Sequence, residues 1–114
     1  MIAHQSQIVV DCASPAKLAV FWGHLLGGTP AHRDPGWSYV DPPGGLRLAF
    51  QQVPEPKSGK NRLHLDLAAD DIPAAAEAVA ALGGECVGGL VRDEVGAFQV
   101  MRDPEGNEFC LVGP

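Results

Sequence analysis

Apolar and polar positions along this chain run through the same pattern twice. In the first round, Gln7-Ile-Val-Val-Asp11 is a short β-branched run that predicts a strand. Ser14-Pro15 follows as an N-cap with proline in the first helical position. Leu18, Phe21, Trp22, Leu25 and Leu26 then recur at helical spacing as one apolar stripe, which Gly27-Gly28 ends. Trp37-Ser-Tyr-Val40 and Leu46-Arg-Leu-Ala-Phe50 predict two strands joined by a Pro42-Pro43-Gly44-Gly45 turn, with a weaker strand around Ala31.

The second round repeats this order. Leu63-His-Leu-Asp-Leu67 predicts a strand, and Asp71 caps a helix with Pro73 in its first turn. Ile72, Ala75, Ala76 and Val79 form that helix's apolar stripe, and Gly83-Gly84 ends it. Strands near Glu85 to Gly88, Ala97 to Met101 and Glu108 to Val112 complete the round. Between the rounds, Val53-Pro-Glu-Pro-Lys-Ser-Gly-Lys-Asn61 has the composition of an exposed linker.

Two matched landmarks make the duplication explicit. Asp41-Pro-Pro-Gly-Gly-Leu-Arg-Leu-Ala-Phe50 is echoed by Asp103-Pro-Glu-Gly-Asn-Glu-Phe-Cys-Leu-Val112, and Leu26-Gly-Gly28 by Leu82-Gly-Gly84. The expected fold class is therefore α+β: paired βαβββ units with a curved, mostly antiparallel sheet and helices on its outer face. At 114 residues the chain is expected to be one domain, with unit one at about 5–53, a linker at about 54–61 and unit two at about 62–114.

Charge and cysteine content narrow the partners. Eight Lys and Arg against fourteen Asp and Glu leave a formal charge of -6, which disfavours nucleic acid and anionic membranes. A small-molecule ligand or another protein is the expected partner. Cys12, Cys86 and Cys110 are odd in number and widely spaced, so they predict buried reduced thiols and neither a disulfide framework nor a thiolate zinc site. The N-terminus has no secretory pattern and no segment reaches membrane-spanning length, giving a cytoplasmic expectation.

With Asp11-Cys-Ala-Ser-Pro15, Phe21-Trp22, Leu25-Leu-Gly27, Asn61-Arg-Leu-His-Leu-Asp66 and Asp103-Pro-Glu-Gly-Asn-Glu-Phe109 in view, the chain resembles the vicinal oxygen chelate superfamily. That group contains glyoxalase I, extradiol dioxygenases and the bleomycin- and fosfomycin-resistance proteins, and the glyoxalase-like subfamily is the nearest likeness. The resemblance implies a divalent metal (Zn, Ni, Fe, Mn or Co) on the concave face. Gln7, His64 and Glu108 match its ligand positions, and Glu108 is also the candidate catalytic proton carrier. It implies a homodimer too, with Gln7 from one subunit and His64 and Glu108 from the other.

Counting back 62 positions from Glu108 puts Leu46 at the fourth ligand position, where no donor exists. By strand alternation Leu46, Leu48 and Phe50 are then expected to line the ligand surface, with Trp37 and Tyr39 on the neighbouring strand as a stacking wall. Asp11 and Asp66 are expected in structural or supporting roles. Lys57, Lys60 and Arg62 form a basic cluster that suits either a solvated loop or an anionic substrate tail.

Two functions fit these residues. One is a metal-dependent lyase, isomerase or dioxygenase acting on a small oxygen-rich substrate. The other is a non-catalytic dimer that sequesters a small molecule without metal, as bleomycin-resistance proteins do.

Overall fold

The computed structural model describes residues 1–114, which divide into two compact units, Met1–Pro56 and Lys57–Pro114. Each unit holds one four-stranded mixed sheet and one helix.

In the first unit the elements are β1 (Gln7–Cys12), α1 (Pro15–Leu26), β2 (Ala31–Asp34), β3 (Trp37–Val40) and β4 (Arg47–Gln52). The sheet order is β1-β4-β3-β2. β1 runs parallel to β4, while β3 pairs antiparallel with both β4 and β2. Two parallel strands need a crossover connection, commonly through a helix, and α1 begins that return, packing on β3 and β4. Ser14 occupies its N-cap position without a side-chain capping bond, so Pro15 in the first turn, with its fixed φ, is the start signal that operates. Gly27 ends it at φ 87, a left-handed conformation that glycine adopts without strain, and donates to the Gly23 carbonyl.

Burial separates the two faces of this sheet. Leu48 and Phe50 of β4 and Ser38 and Val40 of β3 are buried, together with Leu18, Phe21 and Trp22 of α1. These residues form the core of the unit. The opposite face carries Gln7, Trp37, Tyr39 and Arg47, all exposed or half-buried.

The second unit repeats the design with β5 (Asp66–Ala68), α2 (Ile72–Ala81), β6 (Glu85–Arg92), β7 (Ala97–Arg102) and β8 (Glu108–Gly113), ordered β5-β8-β7-β6. β5 is parallel to β8 and the other pairs are antiparallel. Asp71 caps α2 by accepting from the Ala74 amide at 3.0 Å. Ile72, Ala76 and Val79 of α2 are buried with Ala97, Met101, Phe109 and Leu111. A side chain at Gly84 would meet Val79 Cγ1 at 2.6 Å and the Arg102 carbonyl at 2.7 Å, so glycine there permits the close approach of α2 and β7.

Three boundaries differ from expectation. The strand expected over Leu63 to Leu67 is shorter and begins at Asp66, leaving Leu63 72% exposed and His64 in the preceding loop. The strand expected near Glu85 to Gly88 runs on to Arg92 as an exposed edge, interrupted by an irregularity between Val87 and Val91 that contains Gly88-Gly89. The strand expected from Leu46 begins at Arg47.

Candidate functional site

The register of the two parallel pairs fixes which residues occupy equivalent places. Gln7 lies opposite Arg47 and Val9 opposite Ala49, whereas Asp66 lies opposite Cys110. The N-caps Ser14 and Asp71 stand 57 positions apart, so Val9 is the counterpart of Asp66 and Gln7 of His64. Ala49 is then the counterpart of Cys110, and Arg47 of Glu108. The equivalent of Glu108 is Arg47 and not Leu46. The first Asp-Pro turn holds one residue more than the second, five between Asp41 and Arg47 against four between Asp103 and Glu108. A one-residue error in counting moves every side chain of the strand to the other face.

That shift corrects the expected ligand wall. Leu48 and Phe50 are 2% and 0% exposed, belong to the core, and are closed off from any ligand on the other face. Leu46 lies in the turn before β4 at 37% exposure. Trp37 and Tyr39 do share a face with Gln7 and Arg47, and the four residues line one depression of about 320 Å³ with Ala31, His32 and Arg33.

Arginine and aromatic side chains dominate this depression. The Arg47 guanidinium lies 3.9 Å from the centre of the Tyr39 ring, and that of Arg33 lies 4.6 Å from the centre of Trp37. Arg47 also donates to both Asp41 oxygens, from Nε at 2.8 Å and Nη2 at 3.1 Å. This fork holds the Asp41 carboxyl below its ordinary range, chiefly through the side-chain hydrogen bond, and raises Arg47 in return. Arg33 reaches Trp37 from a bulge: His32 pairs with Ser38 and Asp34 with Trp37, which leaves Arg33 with no opposite residue. Bulges re-aim side chains in this way. His32 Nδ1 lies 2.7 Å from Ser38 Oγ, an anchor for the ring on the buried side of the strand.

In the second unit Glu108 opens β8 with its side chain 11% exposed. Lys57 Nζ lies 3.2 Å from Oε2. The approach is off the hydrogen-bonding direction, so this buried oxygen has an ion pair without a well-directed hydrogen bond. Burial alone would raise the carboxyl; Lys57, the backbone and the charge of Lys60 outweigh it and hold the group below the usual glutamate range. Lys57, for which a solvated loop or an anionic substrate tail is expected, is an exposed loop residue that also donates to the Gly59 carbonyl. It lines a depression of about 610 Å³ with Lys60, Glu85, Arg102, Glu105 and Glu108.

His64 is brought to other partners. Its Nε2 lies 3.4 Å from Asp66 Oδ1, and donor atoms of His64, Asp66 and Cys110 all lie within 4.8 Å of one another. Desolvation, then the nearby Asp66 charge, raises the Cys110 thiol, so it is protonated at neutral pH. Glu108 is not in this cluster.

The metal implied by the resemblance fits these residues poorly. Of its ligand positions, one bears the cation Arg47, and Glu108 already has the ammonium of Lys57 against it. At either position, taken within its own unit, a divalent cation meets a positive charge already in place. The donor set that does converge keeps His64 from the expected ligands and adds Asp66 and Cys110, neither of which the repeat marks as a ligand position.

Comparison with known proteins agrees with the fold. The family model described as a glyoxalase-like domain matches residues 7–112. A glyoxalase/bleomycin resistance protein/dioxygenase family enzyme from Burkholderia phytofirmans is similar with a TM-score of 0.83 at 17% identity, covering 97% of this chain and 98% of that one. A genomically encoded fosfomycin resistance protein from Listeria monocytogenes is similar with a TM-score of 0.79 at 15% identity, covering 100% and 95%. A superfamily member from Sphaerobacter thermophilus has a TM-score of 0.74 at 21% identity, covering 99% and 98%. No curated protein matches the chain in sequence.

Proposed function

The chain belongs to the glyoxalase-like domain family, and from that premise we propose that it is a small-molecule-binding member whose ligand lies on the helix-free face of the first unit, against Trp37 and Tyr39. The observation that carries this reading is Arg47. A cation stands where the repeat places a carboxylate in the second unit, so this half of the protein is built to hold a ligand without a metal ion. Expected behaviour is ligand binding that survives exhaustive chelation and weakens in Trp37→Ala. Binding that vanishes on chelation, measured by calorimetry, overturns it.

A second reading is favoured by the convergence of His64, Asp66 and Cys110. It makes the protein a divalent-metal-dependent lyase, isomerase or dioxygenase, with the ion held in the second unit and Glu108 handling a proton. Imidazole, carboxylate and thiolate together suit Zn, Co or Ni better than a hard ion. Elemental analysis of protein purified without a histidine tag tests it. Stoichiometric metal lost in His64→Ala and Cys110→Ala supports this reading. No metal, even after incubation with each ion, excludes it. Gln7, predicted as a third ligand, lies on the first unit's depression and serves there as an amide donor to the ligand.

The family resemblance also supports a homodimer, and the three free cysteines suit a reducing cytoplasm. Light scattering distinguishes the dimer from a 12.0 kDa monomer.

A further inference from the structure

We propose that the ligand of the first unit's face is a flat aromatic carboxylate, its ring against the Trp37 and Tyr39 layers and its carboxylate on Arg47, with Arg33 as the second cation. The inference rests on the reading that this face binds the ligand. It adds the ligand's charge and shape.

Charge comes first. Among the seven residues that line the depression, the only formally charged ones are Arg33 and Arg47; no carboxylate is among them. In a chain of net charge -6, such a surface selects against cations and amines. The second unit's depression differs, since its lining balances Lys57, Lys60 and Arg102 against Glu85, Glu105 and Glu108.

Donor accounting comes next. A guanidinium carries five N–H groups. Asp41 takes two from Arg47, and Asp34 lies 3.4 Å from Nε of Arg33. Arg47 therefore retains three N–H groups and Arg33 four, enough to receive a carboxylate in fork geometry. Asp34 is itself engaged elsewhere, accepting from the Gly36 amide at 2.8 Å.

Shape follows from the stacking. Each guanidinium carbon lies over an aromatic ring, Arg47 at 3.9 Å from the centre of Tyr39 and Arg33 at 4.6 Å from that of Trp37, so both cations are positioned before a ligand arrives and little rotamer entropy remains to be lost. Aromatic faces and guanidinium groups are both weakly hydrated. A conjugated ring fits them, whereas a compact, strongly hydrated anion gains only the charge contact. The volume of about 320 Å³ lies at the small end of ligand pockets, the size of one or two fused rings.

Asp41 supplies the internal check. It holds two of the Arg47 donors in the free protein and offsets the guanidinium's charge, so it weakens the pull on a ligand carboxylate bound at the remaining three and is not itself a ligand contact.

The test is titration of the whole chain with 2-naphthoate, 2-naphthamide and inorganic phosphate, followed by calorimetry and by Trp37 fluorescence against the buried Trp22 background. Naphthoate is expected to bind about tenfold or more tightly than the amide, the usual size of a charge-assisted contact. Arg47→Gln is expected to bring naphthoate down to the amide's affinity while the amide is unaffected. Asp41→Asn is expected to tighten naphthoate severalfold and leave the amide unchanged. Equal binding of acid and amide overturns the carboxylate inference and leaves the aromatic-face reading standing. Phosphate binding as tightly as naphthoate overturns the flat-ring part. Failure of both ring compounds to bind overturns this inference together with the reading beneath it. All variants change exposed residues, and circular dichroism confirms their folding.

Discussion

The two Asp-Pro turns start from the same dipeptide and reach opposite ends. In the second unit Asp103 is 3% exposed and folds its carboxylate inward, accepting from the Glu105 amide at 2.9 Å, the Asn107 amide at 3.0 Å and Asn107 Nδ2 at 2.9 Å. It is a structural pin. In the first unit Asp41 is exposed, the turn closes through Gly45 N–H to the Pro42 carbonyl at 3.1 Å, and the carboxylate is left to pair with Arg47. One additional residue in the first turn makes the difference. Backbone bonds close both turns, Gly106 N–H to the Asp103 carbonyl at 2.9 Å in the second, so the contrast lies in the carboxylates, and the added residue sets a basic residue where the second unit has Glu108. Duplication preserved the two scaffolds while the loops gave them opposite charge at matching places.

That contrast can be broken most forcefully in the cores. Phe50 and Leu111 sit at matching places on β4 and β8, both on the helix-covered face. Phe50→Ala is expected to lose about 3–5 kcal/mol and Leu111→Ala about 2–5 kcal/mol in urea unfolding. A Phe50→Ala protein of unchanged stability would return this side chain to the ligand face.

The turns themselves give the next effect. Asp103→Ala leaves three donors without their acceptor and is expected to cost about 2–4 kcal/mol. Asp41→Ala is expected to leave the urea midpoint where it was, because an exposed pair contributes little. Equal losses would mean that both turns depend on their aspartates alike.

The glycine pairs sharpen the comparison further. A Cβ at Gly84 collides with backbone at 2.7 Å, while one at Gly28 meets the Asp41 carbonyl at 3.2 Å. Gly84→Ala is expected to cost about 1–3 kcal/mol, with Gly28→Ala clearly milder. The order of their melting temperatures decides it.

The smallest effect concerns pH. Glu108 is held below the normal glutamate range in the folded chain, so it contributes stability above its unfolded pKa, and that contribution disappears as pH falls through the folded value. Lys57→Gln removes the ion pair and is expected to flatten the acid limb of the melting-temperature profile below about pH 4.5. An unchanged acid limb would assign the shift to the backbone and Lys60.

The sequence was informative where a single local signal sufficed. The stripe Leu18, Phe21, Trp22 located α1, Asp71-Ile72-Pro73 located the start of α2, and Trp37–Val40 was recovered without error because period-two alternation between a turn and a Pro-Pro-Gly-Gly stretch has one solution. It failed where pairing decides the outcome. Counting from Asp-Pro to Asp-Pro assumed equal turns, and one residue of difference exchanged Arg47 for Leu46 and the core side of β4 for its open side. The approach of Lys57 to Glu108 joins partners distant in sequence, and the bulge that aims Arg33 at Trp37 depends on a hairpin register that the residue types alone do not fix. Nothing local to Cys110 places it beside His64 and Asp66, so its sequence context predicts only a buried reduced thiol.

The Asp41–Arg47 fork has one further consequence, which belongs to kinetics and selectivity more than to stability. A carboxylate tethered six residues from its arginine acts as an anion of its own at an effective concentration on the order of millimolar. Any solute anion must bind beside it, on a guanidinium whose charge that carboxylate already offsets. Acetate or chloride gains little there, and the arginine stays occupied by its own chain. A visitor that also contributes contact elsewhere on the face can win, so the tether sets a threshold that filters weak anions by a single intramolecular contact.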